Sequence, residues 1–217
     1  MIEAVLFDLD GTFADTAPDL GAALNHVRKL RDLAPLPLAT IRPQASHGAR
    51  GLLELGLGIT PEHADFEKMR AAFLTHYEAH ICDHTRLFPG MAALIEELEE
   101  RDLPWGIVTN KPHRYTVPLM ERLGYAARAA CLVSGDTCAQ AKPHPTPLLH
   151  AAELIGIEPG RCLYLGDDLR DMQAANAAGM PGIIASYGYL APDAATATWQ
   201  AAGSIAAPFA LLRYLTL

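Results

Sequence analysis

Residues Val5–Thr12, with the sequence VLFDLDGT, are the stretch on which the fold of this chain depends. Together with Ala4, its first three residues form an unbroken apolar run, which predicts a strand buried on both faces of a parallel sheet. Asp8 and Asp10 follow directly, and the two-residue period of a strand turns their side chains to the same side. Because ligands bind beyond the carboxyl ends of strands in open α/β sheets, the two acids predict a functional site there.

The two residues after these acids suit the binding of an anion. Gly11 lets the backbone turn sharply, and Thr12 offers both a hydroxyl and a backbone N–H. The simpler interpretation is a solvated Asp-Gly turn that merely ends the strand. Two acids at the end of a buried strand, however, cost free energy unless a cation or hydrogen bonds compensate their charge. We therefore favour a functional site.

The composition is that of a folded chain rather than a disordered one. The 217 residues are 50% hydrophobic and 19% charged, which is enough apolar sequence for one or two domains. A formal net charge of −8 argues against nucleic acid or an anionic membrane as the main partner. No apolar run approaches the roughly 20 residues of a membrane span, and the first residues show no signal-peptide pattern. We expect a cytoplasmic enzyme with structural cysteines that lack zinc-site spacing, namely Cys82, Cys131, Cys138 and Cys162.

Residues 15–85 predict a small helical insertion, since no convincing strand occurs in them. Apolar residues have helical spacing over about Asp19–Arg31 and again over Pro61–His80. Leu33–Pro43 is rich in proline and predicts a loop. We therefore expect the insertion to be one domain and the core to be another, formed by residues 1–14 and 86–217.

Strands and helices alternate in the rest of the chain, which predicts an α/β fold with a parallel sheet and right-handed crossovers. The final residues, Ala206–Leu217, are apolar and predict a helix that packs on the core. The predicted strands are Trp105–Val108, Ala130–Val133, Cys162–Leu165 and Gly182–Ala185, and the predicted helices are Met91–Glu100, His113–Leu123, Thr146–Ile155 and Leu169–Ala178.

Three later segments carry groups that suit phosphate chemistry. Thr109 and Asn110 end a predicted strand and offer a hydroxyl and backbone N–H groups to phosphate oxygens. Lys142 lies in a proline-flanked segment and supplies a compact positive charge. Asp167 ends another predicted strand and can ligate a hard cation, while Asp171 lies one helical turn further on. Each has an ordinary explanation when taken alone: a strand-to-helix cap, a solvated loop lysine and an acidic helix N-terminus.

The four segments occur in an order that resembles the four motifs of haloacid dehalogenase-like (HAD) phosphatases. Asp-x-Asp-Gly-Thr is followed by a strand ending in Thr-Asn, then by Lys-Pro, then by Gly-Asp-Asp-x-x-x-Asp. The resemblance covers essentially the whole chain. It implies a doubly wound, Rossmann-like parallel sheet with an inserted, all-helical cap of the C1 type over the site. The chain departs from the usual pattern at Phe13-Ala14, which leaves the acids unaffected.

The resemblance assigns the chemistry to the first motif and to a magnesium ion. It implies that Asp8 is a nucleophile that forms an aspartyl-phosphate, and that Asp10 protonates the leaving alkoxide and then deprotonates the attacking water. It implies that Mg²⁺ is bound by the carboxylates of Asp8 and Asp167 and by the backbone carbonyl of Asp10. The presence of Asp10 favours phosphatase chemistry over that of the dehalogenase relatives.

The remaining motif residues are expected to hold the phosphate or to support those that do. The resemblance implies that Asp168 and Asp171 orient Lys142 or metal-bound water. It also implies catalytic roles for Thr109 and Lys142 in holding the transferred group. The full set of predicted phosphate-binding residues is Gly11, Thr12, Thr109, Asn110 and Lys142.

The inserted helices are expected to select the substrate, because the chemistry of the core is shared across the family. Ser46–Arg50 is the candidate loop, in which Arg50 is the candidate partner of a substrate carboxylate. Within the family the chain resembles phosphoglycolate phosphatases, and more closely N-acetylmuramic acid 6-phosphate phosphatases, in Trp105–Pro112, Gly166–Asp171 and Ser186–Tyr189. Both substrates join a phosphate to a carboxylate, so the expected ligand is a small phosphorylated metabolite.

Two other functions stay open at this point. A phosphotransferase of the β-phosphoglucomutase type shares Asp8, Asp10 and the cap, and would isomerise a sugar phosphate while hydrolysing it slowly. A non-catalytic binding module that uses the acidic cleft is the other alternative, and replacing Asp8 with Asn separates such a module from an enzyme. The sequence carries no signal of the oligomeric state.

Overall fold

The apolar run before the two acids forms the middle of a parallel sheet in a computed structural model that describes residues 1–191 and 194–217. The strands are β1 (Ala4–Phe7), β2 (Ala14–Asp15), β3 (Arg86–Leu87), β4 (Trp105–Val108), β5 (Cys131–Val133), β6 (Cys162–Gly166), β7 (Gly182–Ala185) and β8 (Gly203–Ile205). Within the described residues, six of these strands form one sheet in the order β5-β4-β1-β6-β7-β8, and β2 pairs antiparallel with β3. The strand order therefore changes direction at β1, which is where ligands bind in such sheets.

Helices cover both faces of this sheet and also form the insertion between β2 and β3. The α-helices are α1 (Ala17–Lys29), α2 (Leu38–Ile41), α3 (Gly48–Leu57), α4 (Phe66–Ala79), α5 (Met91–Glu100), α6 (His113–Leu123), α7 (Thr146–Ile155) and α8 (Leu169–Ala178). Segments of 3₁₀-helix cover Arg42–His47, Pro159–Arg161, Thr196–Thr198 and Pro208–Tyr214.

Alternate residues of β1 pack into cores on opposite faces of the sheet. Val5 and Phe7 pack with apolar residues of α5 and α6, whereas Ala4 and Leu6 pack with those of α7 and α8. All four side chains are fully buried. Because both faces of the strand are covered, its sequence shows no alternation of apolar and polar residues. The prediction of a strand buried on both faces is therefore confirmed.

The predicted fold class, an α/β fold with a parallel sheet and a helical insertion, is confirmed, but two C-terminal elements differ from expectation. The edge strand β8 has the sequence Gly-Ser-Ile and lacks the apolar run that identified the other strands. The segment Ala206–Leu217 is helical as predicted, but its helix covers only Pro208–Tyr214 and is of the 3₁₀ type. Leu211 of this segment is fully buried, and so short a segment docks in the tighter helix rather than nucleating an independent α-helix.

The helical insertion begins and ends at one short antiparallel ladder. Asp15 of β2 lies opposite Arg86 of β3, and Ala14 lies opposite Leu87. The helices α1 to α4 all lie between these two strands. The division into a core of residues 1–14 and 86–217 and a cap of residues 15–85 stays a prediction, and its core range includes residues 192 and 193, which lie outside the described residues.

Two parts of the insertion differ from the sequence-based expectation. The proline-rich segment predicted as a loop ends in helical structure, with α2 at Leu38–Ile41 followed by the 3₁₀ segment Arg42–His47. The helix predicted from Pro61 begins at Phe66, because residues 61–65 form turns. In residues 1–191 and 194–217, no helix combines the length and the apolar character that crossing a membrane would require.

A buried carboxylate connects α1 to the segment just before β3, through which the chain leaves the insertion. Asp19 is 1% exposed and accepts hydrogen bonds from the backbone N–H groups of His84 and Thr85, at 2.9 and 2.8 Å. The hydroxyl of Thr85 donates to the same carboxylate at 2.7 Å. These donors face a side chain that only accepts, so they fix the segment just before β3 against the start of α1.

We predict that Asp19→Asn destabilises the protein by about 1–3 kcal/mol, because an amide N–H₂ group replaces one acceptor oxygen among these buried donors. For a chain of this size the midpoint of thermal unfolding falls by about 2–4 °C for each kcal/mol lost. Glu78→Gln removes the same charge at an exposed position of α4 and is the control. Equal unfolding midpoints for the two variants would contradict the prediction.

Candidate active site

A cavity of about 570 Å³ opens between the carboxyl ends of the sheet strands and the helical insertion. Parallel strands end at the same edge of a sheet, so the polar residues that follow β1, β4 and β6 meet there. The core residues that line the cavity include Asp8, Asp10, Thr109, Asn110, Lys111, Lys142, Asp168 and Asp171, and those of the insertion include Ser46, His47, Arg50, Arg70, Phe73 and Tyr77.

Three buried carboxylates meet at the base of this cavity. Asp8, Asp167 and Asp171 present oxygen atoms that lie within 4.8 Å of one another. Asp8 follows β1 and Asp167 follows the neighbouring β6, while Asp171 lies in the first turn of α8. Carboxylate oxygens are the ligands that a hard divalent cation prefers. Asp8 and Asp167 of this cluster were predicted as magnesium ligands. Asp171 was predicted instead to orient Lys142 or metal-bound water.

Lys142 is the buried cation of this cluster. Its Nζ lies 3.0 Å from Asp8 Oδ1 and 2.7 Å from Asp171 Oδ1, and it donates to the hydroxyl of Tyr164 at 2.6 Å. The Tyr164 hydroxyl in turn donates to the Val108 carbonyl at 2.7 Å. Burial opposes the charge of Lys142, but Asp171 and Asp8 outweigh it and raise the pKa of the ammonium. Lys142 therefore stays protonated between the two acids.

One ammonium beside three carboxylates leaves the cluster with excess negative charge. Burial raises the pKa of Asp8 to about 6, with Lys142 opposing the shift and Asp171 and Asp10 adding to it. Burial, followed by the charges of Asp8 and Asp171, raises the pKa of Asp167 well above its ordinary range. Both upward pKa shifts indicate that a further positive charge would be stabilised beside these carboxylates.

Asp167 is held in place by the first motif and by the loop after β7. The Thr12 hydroxyl donates to its Oδ1 at 2.8 Å, and the Tyr189 backbone N–H donates to its Oδ2 at 2.9 Å. Gly11 has a φ of +84°, and a Cβ at this position would lie 2.2 Å from Asp167 Oδ2. Only glycine fits that approach. The Thr12 hydroxyl, expected to bind an anion, thus positions a carboxylate instead.

Asp10 forms an ion pair that the sequence analysis did not predict. Both of its carboxylate oxygens accept from Lys111 Nζ, at 2.9 and 3.1 Å, and Oδ1 also accepts from the Thr16 hydroxyl at 2.5 Å. The ammonium lies 4.7 Å from the ring centre of Tyr77, on α4 of the insertion. Burial opposes the charge of Lys111, but Asp10 and Tyr77 raise its pKa. Lys111 directly follows the strand-Thr-Asn motif, and that position is the sequence feature that could have identified it as a site residue.

The residues after β4 and before α7 support one another. Asn110 uses both atoms of its side-chain amide on the Lys142 backbone, donating to the carbonyl at 2.8 Å and accepting from the N–H at 3.0 Å. The Asn110 side chain therefore fixes the lysine segment, while the phosphate-binding role expected of Asn110 stays a prediction. The Thr109 hydroxyl accepts from the Lys111 backbone N–H at 3.3 Å and lines the cavity.

Asp168 and Asp171 play different parts in the first turn of α8. Asp168 was expected to orient Lys142 or metal-bound water, but its carboxylate caps the helix through the Arg170 backbone N–H at 2.8 Å and pairs with the Arg170 guanidinium. Arg170 also donates to the Ser46 carbonyl of the insertion at 3.0 Å. Asp171 completes the capping box and contacts Lys142, as expected. The helix cap and the site thus share one turn.

Arginine side chains from different elements line the mouth of the cavity. Arg50, the predicted partner of a substrate carboxylate, is exposed at the start of α3. Arg70 of α4 and Arg114 of α6 line the same cavity, and the sequence analysis assigned neither of them a role. Guanidinium groups suit planar recognition of carboxylate and phosphate.

Known proteins are similar to this chain in sequence and in fold. Residues 5–185 match the family described as haloacid dehalogenase-like hydrolase. The chain belongs to this family. It is 43% identical over 198 residues to phosphoglycolate phosphatase from Xanthomonas campestris pv. campestris, which covers 91% of this chain and 89% of the relative. It is 40% identical over 200 residues to N-acetylmuramic acid 6-phosphate phosphatase from Pseudomonas aeruginosa, which covers 92% of this chain and 88% of the relative.

The fold of this family member also matches solved structures. The crystal structure of a predicted phosphoglycolate phosphatase from Haemophilus somnus superposes with a TM-score of 0.84 at 24% identity, covering 100% of this chain and 98% of the other. At that identity the match concerns the fold alone. The resemblance to HAD phosphatases that the four motifs carry is therefore confirmed by the family match and by the two phosphatase relatives.

We predict that Gly11→Ala lowers Mg²⁺ affinity about 10–100-fold, the usual effect of disturbing the groups that orient metal ligands. The added methyl group would displace the Asp167 carboxylate. Gly124→Ala is a matched control, because Gly124 has the same φ of +84° and its Cβ would meet no described atom within 4 Å. Strained backbone costs each variant about 1–2 kcal/mol. Calorimetric Mg²⁺ titration separates the two, and unchanged affinity in Gly11→Ala would contradict the assignment.

Proposed function

We propose that this protein is a Mg²⁺-dependent phosphomonoesterase that hydrolyses a small phosphorylated carboxylate or sugar through an aspartyl-phosphate intermediate. The observation that carries the proposal is the placement of Asp8 and Asp10 just beyond the carboxyl end of β1. The first carboxylate lies against Lys142 and the second against Lys111. Two acids that leave one strand in separate cationic environments suit separate roles in one reaction.

The residues present fit a magnesium ion. The donor set consists of hard carboxylate oxygens on Asp8, Asp167 and Asp171, and Lys142 neutralises only part of their charge. The pKa values of Asp8 and Asp167, which burial raises, also support a magnesium site, because a bound divalent cation would stabilise the ionised acids and lower both values. When bound, Mg²⁺ would neutralise charge on the phosphoryl oxygens as they move towards the nucleophile.

Asp8 is the proposed nucleophile. Its Oδ1 accepts from the Leu9 backbone N–H at 2.8 Å and lies 3.0 Å from Lys142 Nζ. The carboxylate is therefore held by one of its oxygens. In the part of the chain that the structure describes, its side-chain contacts fall on that oxygen, so Oδ2 is the atom we assign to attack on phosphorus.

Asp10 is the proposed general acid and base. Lys111 and the Thr16 hydroxyl fix its carboxylate in the cavity two residues from the nucleophile. In that position it would give a proton to the leaving alkoxide and later take one from the water that cleaves the aspartyl-phosphate. Lys111 and Lys142 together supply positive charge on the side of the cavity where the phosphate would lie.

Between the activities named for the two relatives, the cavity favours the larger substrate. Its volume of about 570 Å³ lies in the range of sites that enclose drug-sized ligands, and a two-carbon ester would fill little of it. Phe73 and Tyr77 of α4 form an apolar wall beside the acids. We therefore propose N-acetylmuramic acid 6-phosphate as the first candidate and 2-phosphoglycolate as the second, with Arg50 as the partner of the carboxylate that both contain. The expected cytoplasmic location stays a prediction.

The test is phosphate release from both candidates and from glucose phosphates, in Mg²⁺ and in EDTA. We predict metal-dependent release concentrated on one compound. Release that persists in EDTA would contradict the magnesium assignment. Interconversion of sugar phosphates without net release would instead identify the phosphotransferase of the β-phosphoglucomutase type.

Two substitutions test the roles of the acids. Asp8→Asn is expected to abolish turnover while the midpoint of thermal unfolding stays equal or rises, because a buried charge is removed from an acidic cluster. Asp10→Asn is expected to lower kcat about 10²–10⁴-fold, the usual contribution of general acid–base catalysis. Full phosphate release by Asp8→Asn would contradict the covalent mechanism, because that mechanism requires the Asp8 carboxylate as the nucleophile.

Stability should also depend jointly on Mg²⁺ and pH. Burial raises the pKa of Asp8 from its ordinary 3.8 to about 6 in the folded chain, so the stability that the protonated acid contributes is lost as pH rises through that interval. Bound Mg²⁺ favours the ionised acid and reverses this loss. We predict that the rise in unfolding midpoint caused by Mg²⁺ is larger at about pH 7.5 than at about pH 5. Asp8→Asn is the control, in which the pH dependence of that rise should shrink.

A further inference from the structure

A closed ring of contacts connects the helical insertion, its first linker and the Asp167 carboxylate. Its first and last members belong to the same 3₁₀ segment, Arg42–His47, so the ring closes through the backbone. It runs in order through Arg42, Asp15, Tyr189, Asp167 and Ser46, and we call these residues the linker ring.

The first contact of the linker ring is a bidentate ion pair. Arg42 places its two terminal nitrogens 2.8 and 2.9 Å from the two oxygens of Asp15. The same guanidinium lies 5.7 Å from the centre of the Tyr189 ring. Asp15 belongs to β2, the linker strand through which the chain enters the insertion. Two parallel contacts between a planar guanidinium and a carboxylate fix the relative orientation of the two groups as well as their separation.

Tyr189 carries the contact from the linker to the carboxylate cluster. Its hydroxyl donates to Asp15 Oδ1 at 2.9 Å and accepts from the Ala17 backbone N–H at 2.8 Å. Its own backbone N–H donates to Asp167 Oδ2. The preceding Gly188 packs so closely that a Cβ would lie 2.4 Å from Asp167 Cβ. A displacement of Tyr189 therefore displaces groups in direct contact with Asp167.

Ser46 completes the ring from the side of the insertion. Its hydroxyl lies 3.4 Å from Asp167 Oδ2, the oxygen that also accepts from Tyr189. Its carbonyl accepts from Arg170 of α8. The segment that Arg42 anchors thus reaches the carboxylate cluster directly, as well as through Asp15 and Tyr189.

We infer that Arg42, Asp15 and Tyr189 are positioning residues that couple the placement of the Arg42–His47 segment to the metal-binding geometry of Asp167. The inference rests on the proposed function, since it concerns the same metal site. Binding at one end of such a ring and ordering at the other favour each other reciprocally. A substrate that orders Ser46–Arg50 therefore also strengthens Mg²⁺ binding.

A purely structural role for the ion pair makes a different prediction. The side chains of Arg42 and Asp15 are 34% and 25% exposed, and partly exposed ion pairs contribute little to folding stability. Loss of the pair would then leave both stability and Mg²⁺ affinity almost unchanged. Under the coupling proposed here, stability changes little while Mg²⁺ affinity falls.

The experiment compares Arg42→Gln, Tyr189→Phe and the double variant in the full chain. Mg²⁺ affinity is measured from the rise of the unfolding midpoint with Mg²⁺ concentration, and again as the Mg²⁺ dependence of phosphate release. We expect at least a threefold loss of affinity in each single variant by both measures. In the double variant the loss should fall short of the product of the single losses, because the two residues act through Asp15 in one chain of contacts.

Arg128→Gln is the matched control. Arg128 forms a bidentate pair with Glu99 at 3.0 and 2.7 Å, is also 34% exposed and lies 4.7 Å from a tyrosine ring, that of Tyr125. Its Mg²⁺ affinity should equal that of the wild type. Arg42→Lys should recover part of the affinity, since an ammonium restores the charge but not the two-pronged contact.

Two outcomes would overturn the inference. One is an unchanged Mg²⁺ affinity in Arg42→Gln and Tyr189→Phe, and the other is an equal loss in Arg128→Gln. Failure of the proposed function looks different: the wild type would bind Mg²⁺ in the thermal titration yet release no phosphate from any compound. The thermal titration measures Mg²⁺ affinity without requiring turnover. Failure of the coupling inference can therefore be distinguished from failure of the proposed function.

Discussion

The contact of Lys142 with Asp8 and Asp171 is the interaction on which the site depends. Three carboxylates are buried at one place, and a single ammonium lies among them. Without that ammonium the acids would repel one another in a poorly solvated environment, and at least one would stay protonated. With it, the cluster keeps enough negative charge to favour a divalent cation. The Asn110 amide and the Tyr164 hydroxyl, which hold the lysine segment and its Nζ, are therefore as necessary to the geometry as the acids themselves.

The sheet explains why groups so far apart in sequence can meet within a few ångströms. Asp8 and Asp167 each follow one of two neighbouring parallel strands, so they emerge at the same edge. The close approach then depends on residues without side chains. Gly11 leaves room for the Asp167 carboxylate, and Gly188 leaves room for the Gly11 carbonyl, which would lie 2.3 Å from a Cβ. The glycines of the first motif and of the loop after β7 are thus parts of the site rather than general sources of flexibility.

Residues whose position follows directly from a buried strand could be predicted from the sequence. Asp8, Asp10 and Asp167 each follow an apolar run, and the structure places all three at the carboxyl edge of the sheet. The rest required tertiary contacts that local sequence does not encode. Lys111 is adjacent to a predicted motif, yet its partner Asp10 follows a different strand. Arg42 lies in a proline-rich stretch predicted as a loop, and only the folded chain brings it to Asp15. The pairing of the Asn110 side-chain amide with the Lys142 backbone likewise joins two segments that lie far apart in the sequence.

The proposed division between a core that performs the chemistry and an insertion that selects the substrate is incomplete in this protein. Tyr77 of the insertion lies against Lys111, which holds the proposed general acid, and Ser46 lies against Asp167. Arg170 joins the first turn of α8, which also supplies Asp171, to the same Ser46. Residues of the insertion that line the cavity therefore also contact the groups that hold the proposed catalytic carboxylates. A substitution that changes substrate preference in this part of the insertion should change kcat as well as KM, because recognition and chemistry share the same contacts.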